Sequence, residues 1–235
     1  RMTPGKYIIA EIEEMEGSVD DIILEGIATA KKSLYIENGK LIVEIFALRD
    51  PSTIVWTGNQ SNTWDIGETE NFSISSTPTI FVAGDNIIFD DKSQHKSITL
   101  AEEVLPATIM VNTADTYTFS GEGAITGNTV FTKEGTGKVV MKNNNNYTGG
   151  NHLKGGTTIV SSLANQYSAT GNLGGITTDA SLFTMENGAV LQTTAAMETG
   201  SPMTMVDAGG TLDLSGDFKM NAALSGSTLT KKGNG

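Results

Sequence analysis

The chain has 235 residues with a formal net charge of −12, 27 glycines and no cysteine. Without cysteine, disulfides and thiolate metal sites are excluded. The acidic balance argues against a nucleic-acid partner, because phosphate binding needs clusters of Lys and Arg. No apolar run reaches the roughly 18 residues of a membrane-spanning helix, so no membrane insertion is expected. The length suits one elongated β domain or two ordinary domains.

Residues 1–50 are predicted to form a small antiparallel β segment. Asn38-Gly39 tolerates the two positive φ angles of a type I′ turn, and the apolar runs on either side of it therefore predict a hairpin. The acidic stretch 13–21 predicts a turn or a sheet edge, and 28–32 could add a helical turn. Asp50-Pro51-Ser52 breaks the pattern and places a boundary at residue 50. The predicted strands of this segment are 6–13, 22–27, 33–37 and 40–46.

Residues 51–235 are predicted to form stacked β coils. A glycine followed by β-forming residues recurs along the second half of the chain, at irregular separations that centre near the ~20-residue scale of solenoid coils. Parallel stacked strands are therefore expected. Asn143–Asn146 are predicted to pair their amides with neighbouring turns. The regular spacing of the coils is interrupted at 161–182, where a short helix or a bulged loop is predicted. The recurring glycines are Gly137, Gly156, Gly188, Gly210 and Gly226, and the strands predicted before them are 54–58, 79–82, 86–89, 98–100, 108–111 and 117–119.

One phrase, residues 131–160, carries a family resemblance. Phe131-Thr-Lys-Glu-Gly-Thr-Gly137 leads to a short strand, to Asn146-Tyr-Thr-Gly-Gly150 and to the strand 156–160, and this order resembles the autotransporter-associated β-strand repeat. Leu229–Gly235 resembles the opening of the next copy. Residues 5–48 resemble the closing segment of a preceding module. Five short motifs resemble the lead-in that precedes such repeats in large surface proteins: Trp56-Thr57-Gly58, Trp64-Asp65, Asn71-Phe72, Gly84-Asp85 and Phe89-Asp90.

The resemblance implies an all-β fold. A right-handed parallel β-helix would cover 51–235, with the antiparallel segment at its N-terminal end. It also implies a place at the outer-membrane surface of a Gram-negative bacterium or outside the cell, with neighbouring modules, and glycans or a host surface, as partners. The chain begins and stops within phrases, so we expect it to be a piece of a longer protein.

Catalytic chemistry is not predicted. β-helices host polysaccharide lyases and glycosidases, which need converging carboxylates. Asp90-Asp91 with His95 is the one cluster to consider, but adjacent strand residues point to opposite faces, so a solvated loop is favoured. His152 has no second ligand nearby in the sequence and is expected at the surface. Gly84-Asp85-Asn86 lacks the rest of a calcium loop, so no cofactor or metal residue is predicted and acidity alone is weak support for Ca²⁺.

Three aromatic residues are candidates for ligand contact: Trp56, Trp64 and Tyr147. The two tryptophans either form a sugar-stacking platform or cap the first coil, and capping is favoured because the ends of a solenoid core need shielding from water. The expected function is a non-enzymatic structural or adhesive β-solenoid module. The alternatives are a carbohydrate-binding module, or an accessory part of a polysaccharide-degrading enzyme whose active site lies outside these residues.

Overall fold

A computed structural model describes residues 5–22, 31–46 and 49–235. Within these ranges the chain is nearly all β, with no α-helix and with two single 3₁₀ turns, at Val19–Asp21 and Ala180–Leu182. The apolar strand expected over 22–27 and the helical turn expected over 28–32 lie outside the described residues, apart from their end residues. None of the described residues forms a helix long and apolar enough to cross a membrane.

The described residues of the N-terminal segment form a three-stranded antiparallel sheet, and an antiparallel sheet was predicted here. Its strands are β1 (Gly5–Glu11), β2 (Lys32–Glu37) and β3 (Lys40–Ile45), with β3 in the centre. Asn38 and Gly39 have φ values of 53° and 70°, which confirms the type I′ turn between β2 and β3. The acidic stretch contains the first 3₁₀ turn, which the Ser18 side chain caps.

The rest of the chain is a β-solenoid of about seven turns. Each turn contributes one strand to each of two long sheets, and the strands of successive turns pair in parallel. The first sheet contains β4 (Thr53–Trp56), β6 (Phe72–Ile74), β7 (Thr77–Thr79), β8 (Asn86–Phe89), β10 (Thr108–Asn112), β12 (Val130–Glu134), β14 (Asn151–Leu153), β16 (Phe183–Met185), β19 (Met203–Met205) and β22 (Leu224–Gly226). The second contains β5 (Thr63–Trp64), β9 (Ser97–Leu100), β11 (Thr116–Ser120), β13 (Lys138–Met141), β15 (Thr157–Val160), β17 (Ala189–Thr193), β20 (Gly210–Leu214) and β23 (Leu229–Gly233). In the last turns β18 (Met197–Thr199) and β21 (Phe218–Met220) form a third, two-stranded sheet.

Residues that stack in register are mostly about 20 positions apart, which confirms the predicted coil length. Two successive steps of this kind lead from Tyr117 to its partner Val139 and from Val139 to its partner Thr158. The next step, from Thr158 to Leu191, is longer because 161–182 forms a loop that leaves the coil. The first turn is also long, since the hairpin β6/β7 is inserted between β5 and β8.

The recurring glycines and the repeated phrase do not occupy equivalent positions in the coil. Gly226 follows Gly210 by less than one coil in sequence, yet Gly226 pairs with Met205 in the first sheet while Gly210 pairs with Leu229 in the second. The two copies of the Phe/Leu-Thr-Lys phrase likewise occupy different sheets, in β12 and β23. The recurring glycines therefore mark corners of the coil, and not one equivalent corner per turn.

Close stacking of the corners explains a motif glycine. A Cβ atom placed on Gly137 would lie 2.0 Å from the carbonyl oxygen of Asp115, one coil earlier. Backbone at this corner therefore packs directly on backbone, and a larger residue would push the two coils apart.

The core is a continuous column of inward side chains, and its composition changes along the axis. Rings fill the first turns, where Trp64 meets Phe81 edge-to-face at 5.3 Å and Phe89 meets Phe119 at 5.0 Å. Aliphatic and Met side chains predominate in the later turns, which also contain Tyr147 and Phe183. At the N-terminal end β6 pairs antiparallel with β4, and β7, which contains Pro78, forms the edge of the sheet. A short edge strand with proline is a poor template for further pairing. The strand predicted over 79–82 was wrong: β7 ends at Thr79, and residues 80–82 are not in a strand.

Candidate functional site

The three aromatic candidates lie inside the solenoid. Trp56, Trp64 and Tyr147 are all fully buried. Trp56 donates its indole N–H to the carbonyl of His95 at 2.7 Å, and the Tyr147 hydroxyl donates to Asn151 Oδ1 at 2.7 Å. Burial raises the pKa of the Tyr147 phenol far above its usual value. None of these three rings is exposed to solvent, and the two tryptophans fill the first coil in the way the capping interpretation expects.

The Asp90-Asp91 loop joins neighbouring coils. Asp91 accepts hydrogen bonds from the Thr113 hydroxyl and from the amide of Ala114, and these bonds, the hydroxyl's first, lower the pKa of its exposed carboxyl. Asp90 accepts from the amide of Lys92 at 2.9 Å. The two carboxylates thus satisfy corner amides and do not converge on a common point.

Asp85 forms a buried ion pair with Arg49 that sequence reasoning missed. The Arg49 guanidinium donates to Asp85 Oδ1 at 2.7 Å and to Oδ2 at 2.6 Å. The same carboxylate accepts from the amides of Ser52 and Val82, each at 2.8 Å. Asp85 is fully buried, and the four hydrogen bonds that its carboxylate accepts fix the linker to the first coil.

Two of the four asparagines of the ladder, Asn143 and Asn145, pair their amides with neighbouring turns as predicted. Asn143 and Asn145 are buried, while Asn144 and Asn146 are exposed. Asn143 donates to the carbonyls of two glycines of the preceding coil, and Asn145 accepts from Ile125 at 2.8 Å. Buried Asn172, in the 161–182 loop, completes the network and accepts from the amides of Ser161 and Ser162.

Lys133 is a buried cation within the motif phrase, and sequence reasoning missed it. Its side chain points inward between Val111 and Leu153 of the adjacent coils. The ammonium donates to the carbonyl oxygens of Glu134 and, at 3.3 Å, of Gly135. Burial lowers its pKa to about 8, against the opposing effect of Asp91 and Glu134. Lys133 lies two residues after Phe131 on an alternating strand, and residues two apart share one face. This spacing was the signal in the sequence that could have indicated its burial.

His152 lies half-buried on the outer face of the first sheet. Its Nδ1 is 2.9 Å from the Thr184 hydroxyl, and burial followed by the Lys154 ammonium lowers its pKa. Lys154 in turn is 3.9 Å from Glu134. Among the described residues no group of three His, Cys, Asp or Glu side chains could hold a metal ion.

An open groove of about 420 Å³ lies on the outer face of the first turns. Its apolar lining residues are Val55, Trp56 and Pro78, and its other lining side chains carry hydroxyl, amide or charged groups. Ser75 and Ser76 at one side form the β6/β7 turn with φ values of 48° and 70°, where serine is uncommon. The polar lining residues are Thr57, Asn59, Ser73, Ser75, Ser76, Asp90 and Lys92.

Comparison with known proteins adds no assignment. No protein-family model matches the sequence, and neither a curated protein nor a solved structure matches it. The solenoid architecture therefore rests on the strand pairing described above.

Proposed function

We propose that this chain is a non-enzymatic structural module of a bacterial cell-surface or secreted protein, in which the solenoid acts as a rigid spacer. The single observation that supports this is the unbroken stack of paired strands from β4 to β23 over one continuous core. A stack in which each coil contacts its neighbours resists bending, because bending would open many backbone hydrogen bonds at once. On the basis of the repeat resemblance, the proposal also includes a location at the cell surface or outside the cell and adhesive partners.

Rigidity can be measured between two points on one row of the second sheet. Ser97 and Lys232 are the ends of a row of register partners that continues through β11, β13, β15, β17 and β20. Six strand spacings of about 4.8 Å separate the two backbones by about 29 Å. The chain contains no cysteine, so Ser97→Cys with Lys232→Cys takes spin labels at those sites alone.

A spacer gives a narrow distance distribution centred near that value by pulsed electron paramagnetic resonance. The distribution should stay narrow when the chain is fused to folded domains at both ends. A broad distribution, or one that changes with the fused domains, would refute the spacer role. Ser97→Cys with Gln192→Cys is the matched control, because four spacings should shorten the distance to about 19 Å.

Carbohydrate binding is a second candidate, and the polar groove favours it. Serine and threonine hydroxyls, an amide, one carboxylate and one ammonium can together donate to and accept from sugar hydroxyls. Screening the chain and its Asp90→Ala variant on a glycan array tests this role. Signals that are equal for both proteins would place any binding elsewhere, and no signal would remove the candidate.

A further inference from the structure

The tripeptide Glu-Asn-Gly occurs twice in the chain, at 37–39 and at 186–188. The asparagine and the glycine have φ values of 53° and 70° in the first copy and of 53° and 71° in the second. Both residues are exposed in both copies, and neither asparagine side chain hydrogen-bonds to another described residue. The chain therefore contains two turns of the same sequence and the same backbone conformation, one in the N-terminal sheet and one in the solenoid.

The two turns differ in the hydrogen bonding of the glycine amide. The N–H of Gly188 donates to the carbonyl of Gly209, one coil later, at 2.9 Å. The N–H of Gly39 donates to none of the residues that the structure describes. In the third Asn-Gly pair of the chain the glycine amide is also bonded, since Gly235 donates to the carbonyl of Leu214 at 3.2 Å.

An unbonded glycine amide after an asparagine permits a reaction of the chain with itself. The glycine nitrogen attacks Cγ of the asparagine side chain, a C–N bond forms, and the side-chain nitrogen leaves as ammonia with the proton of the amide. Water then opens the succinimide ring at either carbonyl and gives aspartate or isoaspartate. The net change is the gain of water and the loss of ammonia, so water is the one co-reactant. Glycine allows the approach because it has no Cβ.

We propose that Asn38 is a site of spontaneous deamidation, and that the coil stacked on its turn protects Asn187 from the same reaction. The two sites share their sequence, their φ values and their exposure, so the hydrogen bond of the Gly188 amide is what separates them. That bond opposes both the loss of the amide proton and the rotation that brings the nitrogen to Cγ. One such bond is expected to slow the reaction about tenfold.

Deamidation at Asn38 has a structural consequence for the N-terminal sheet. Isoaspartate adds a methylene to the main chain, which does not fit a two-residue turn whose flanking residues, Glu37 and Lys40, remain paired. The turn also holds the end of β1, because the Ile12 amide donates to the carbonyl of Gly39 at 2.7 Å. The modification therefore loosens the strands of this sheet and leaves the solenoid intact.

Timed incubation of the full chain in mildly alkaline buffer, followed by peptide mapping with mass spectrometry, measures both sites in one sample. Asn38 should convert about tenfold faster than Asn187. Its product should contain isoaspartate as well as aspartate, because the ring opens at either carbonyl. In urea the unfolded chain is the matched control, and the two sites should then convert at similar rates. Equal rates in the folded chain, or an intact Asn38 while the unfolded chain converts, overturn the proposal.

The effect on the sheet is tested with Asn38→Gly. This variant removes the reacting amide and keeps the turn, because Gly-Gly accepts two positive φ angles. After the same incubation, amide hydrogen exchange of β2 and β3 should be faster in the wild type than in the variant, with exchange of β13 unchanged. Fresh wild-type protein provides the same baseline without a substitution. Aged wild type that exchanges no faster than both references refutes the loosening.

Discussion

Thr158 is a core residue whose hydroxyl has no partner, and removing that hydroxyl should stabilise the fold. The side chain is buried on β15 between Val139 and Leu191 of the adjacent coils, and its Oγ1 forms no hydrogen bond. A buried hydroxyl left unpaired costs about 1–3 kcal/mol of desolvation. Valine has the same branched shape and keeps the same χ1 preference, so Thr158→Val should fit without strain.

We expect Thr158→Val to raise the free energy of unfolding by about 1–2 kcal/mol. For a chain of this size that corresponds to an increase in Tm of roughly 2–4 °C for each kcal/mol. The assay is denaturant unfolding followed by circular dichroism and by tryptophan fluorescence. The slope against denaturant should be unchanged, because the exposed surface is the same.

Thr129→Val is the matched control. Thr129 is equally buried, but its hydroxyl lies 2.6 Å from the carbonyl oxygen of Pro106 and 2.8 Å from that of Thr126. This second variant should be less stable by about 1–2 kcal/mol, because it leaves buried carbonyls with one partner fewer. If both variants shift in the same direction, hydrogen bonding does not distinguish these threonines and the reasoning is refuted.

Three further predictions concern buried polar groups. Asp85→Asn should destabilise the fold by about 3 kcal/mol in chemical unfolding, because the Arg49 guanidinium loses its charged partner and remains at the site. Asn145→Leu should cost about 2–4 kcal/mol of unfolding free energy by the same measurement, because the Ile125 amide and the Asn172 carbonyl both lose a partner. Lys133→Met should raise Tm at pH 7, and this advantage over the wild type should shrink as the pH rises from about 8 towards 10.5.

The sign of the last effect follows from proton linkage. Lys133 has a pKa of about 8 in the folded chain against 10.5 in the unfolded chain. Burial of the charged ammonium therefore lowers the free energy of unfolding at any pH at which Lys133 is charged. The penalty is complete below pH 8 and disappears as the unfolded chain also loses its proton. A difference between variant and wild type that is constant from pH 7 to pH 10.5 would contradict this cause.

Two substitutions at exposed positions are the controls for Asp85→Asn and Asn145→Leu. Asp50→Asn changes the same charge at an exposed position, and Asn146→Leu changes the same residue type one position from Asn145. Both should leave stability within about 0.5 kcal/mol of the wild type. A control that costs as much as its buried counterpart would show that burial is not what sets these energies.

Local signals in the sequence predicted the parts of the fold that depend on local backbone geometry. The Asn38-Gly39 turn was predicted because only a few residues accept two positive φ angles in succession. Coil length was predicted from the recurrence of glycines, and at Gly137, Gly156 and Gly226 an added Cβ would meet the backbone of a neighbouring coil. The predicted pairing of the ladder amides with neighbouring turns is confirmed for Asn143 and Asn145, which both point inward because residues two apart share one face.

What the sequence by itself determined is therefore the class of fold, a stack of short strands about 20 residues apart with polar side chains at the corners. Tertiary structure alone decided which corner belongs to which sheet, as the displaced phases of Gly226 and Leu229 illustrate. It also decided the pairing of Arg49 with Asp85, 36 residues apart, and the burial of Trp56, Trp64 and Tyr147. The physical reason is that turn geometry is a property of adjacent residues, whereas burial and charge pairing depend on which coil is stacked above and below.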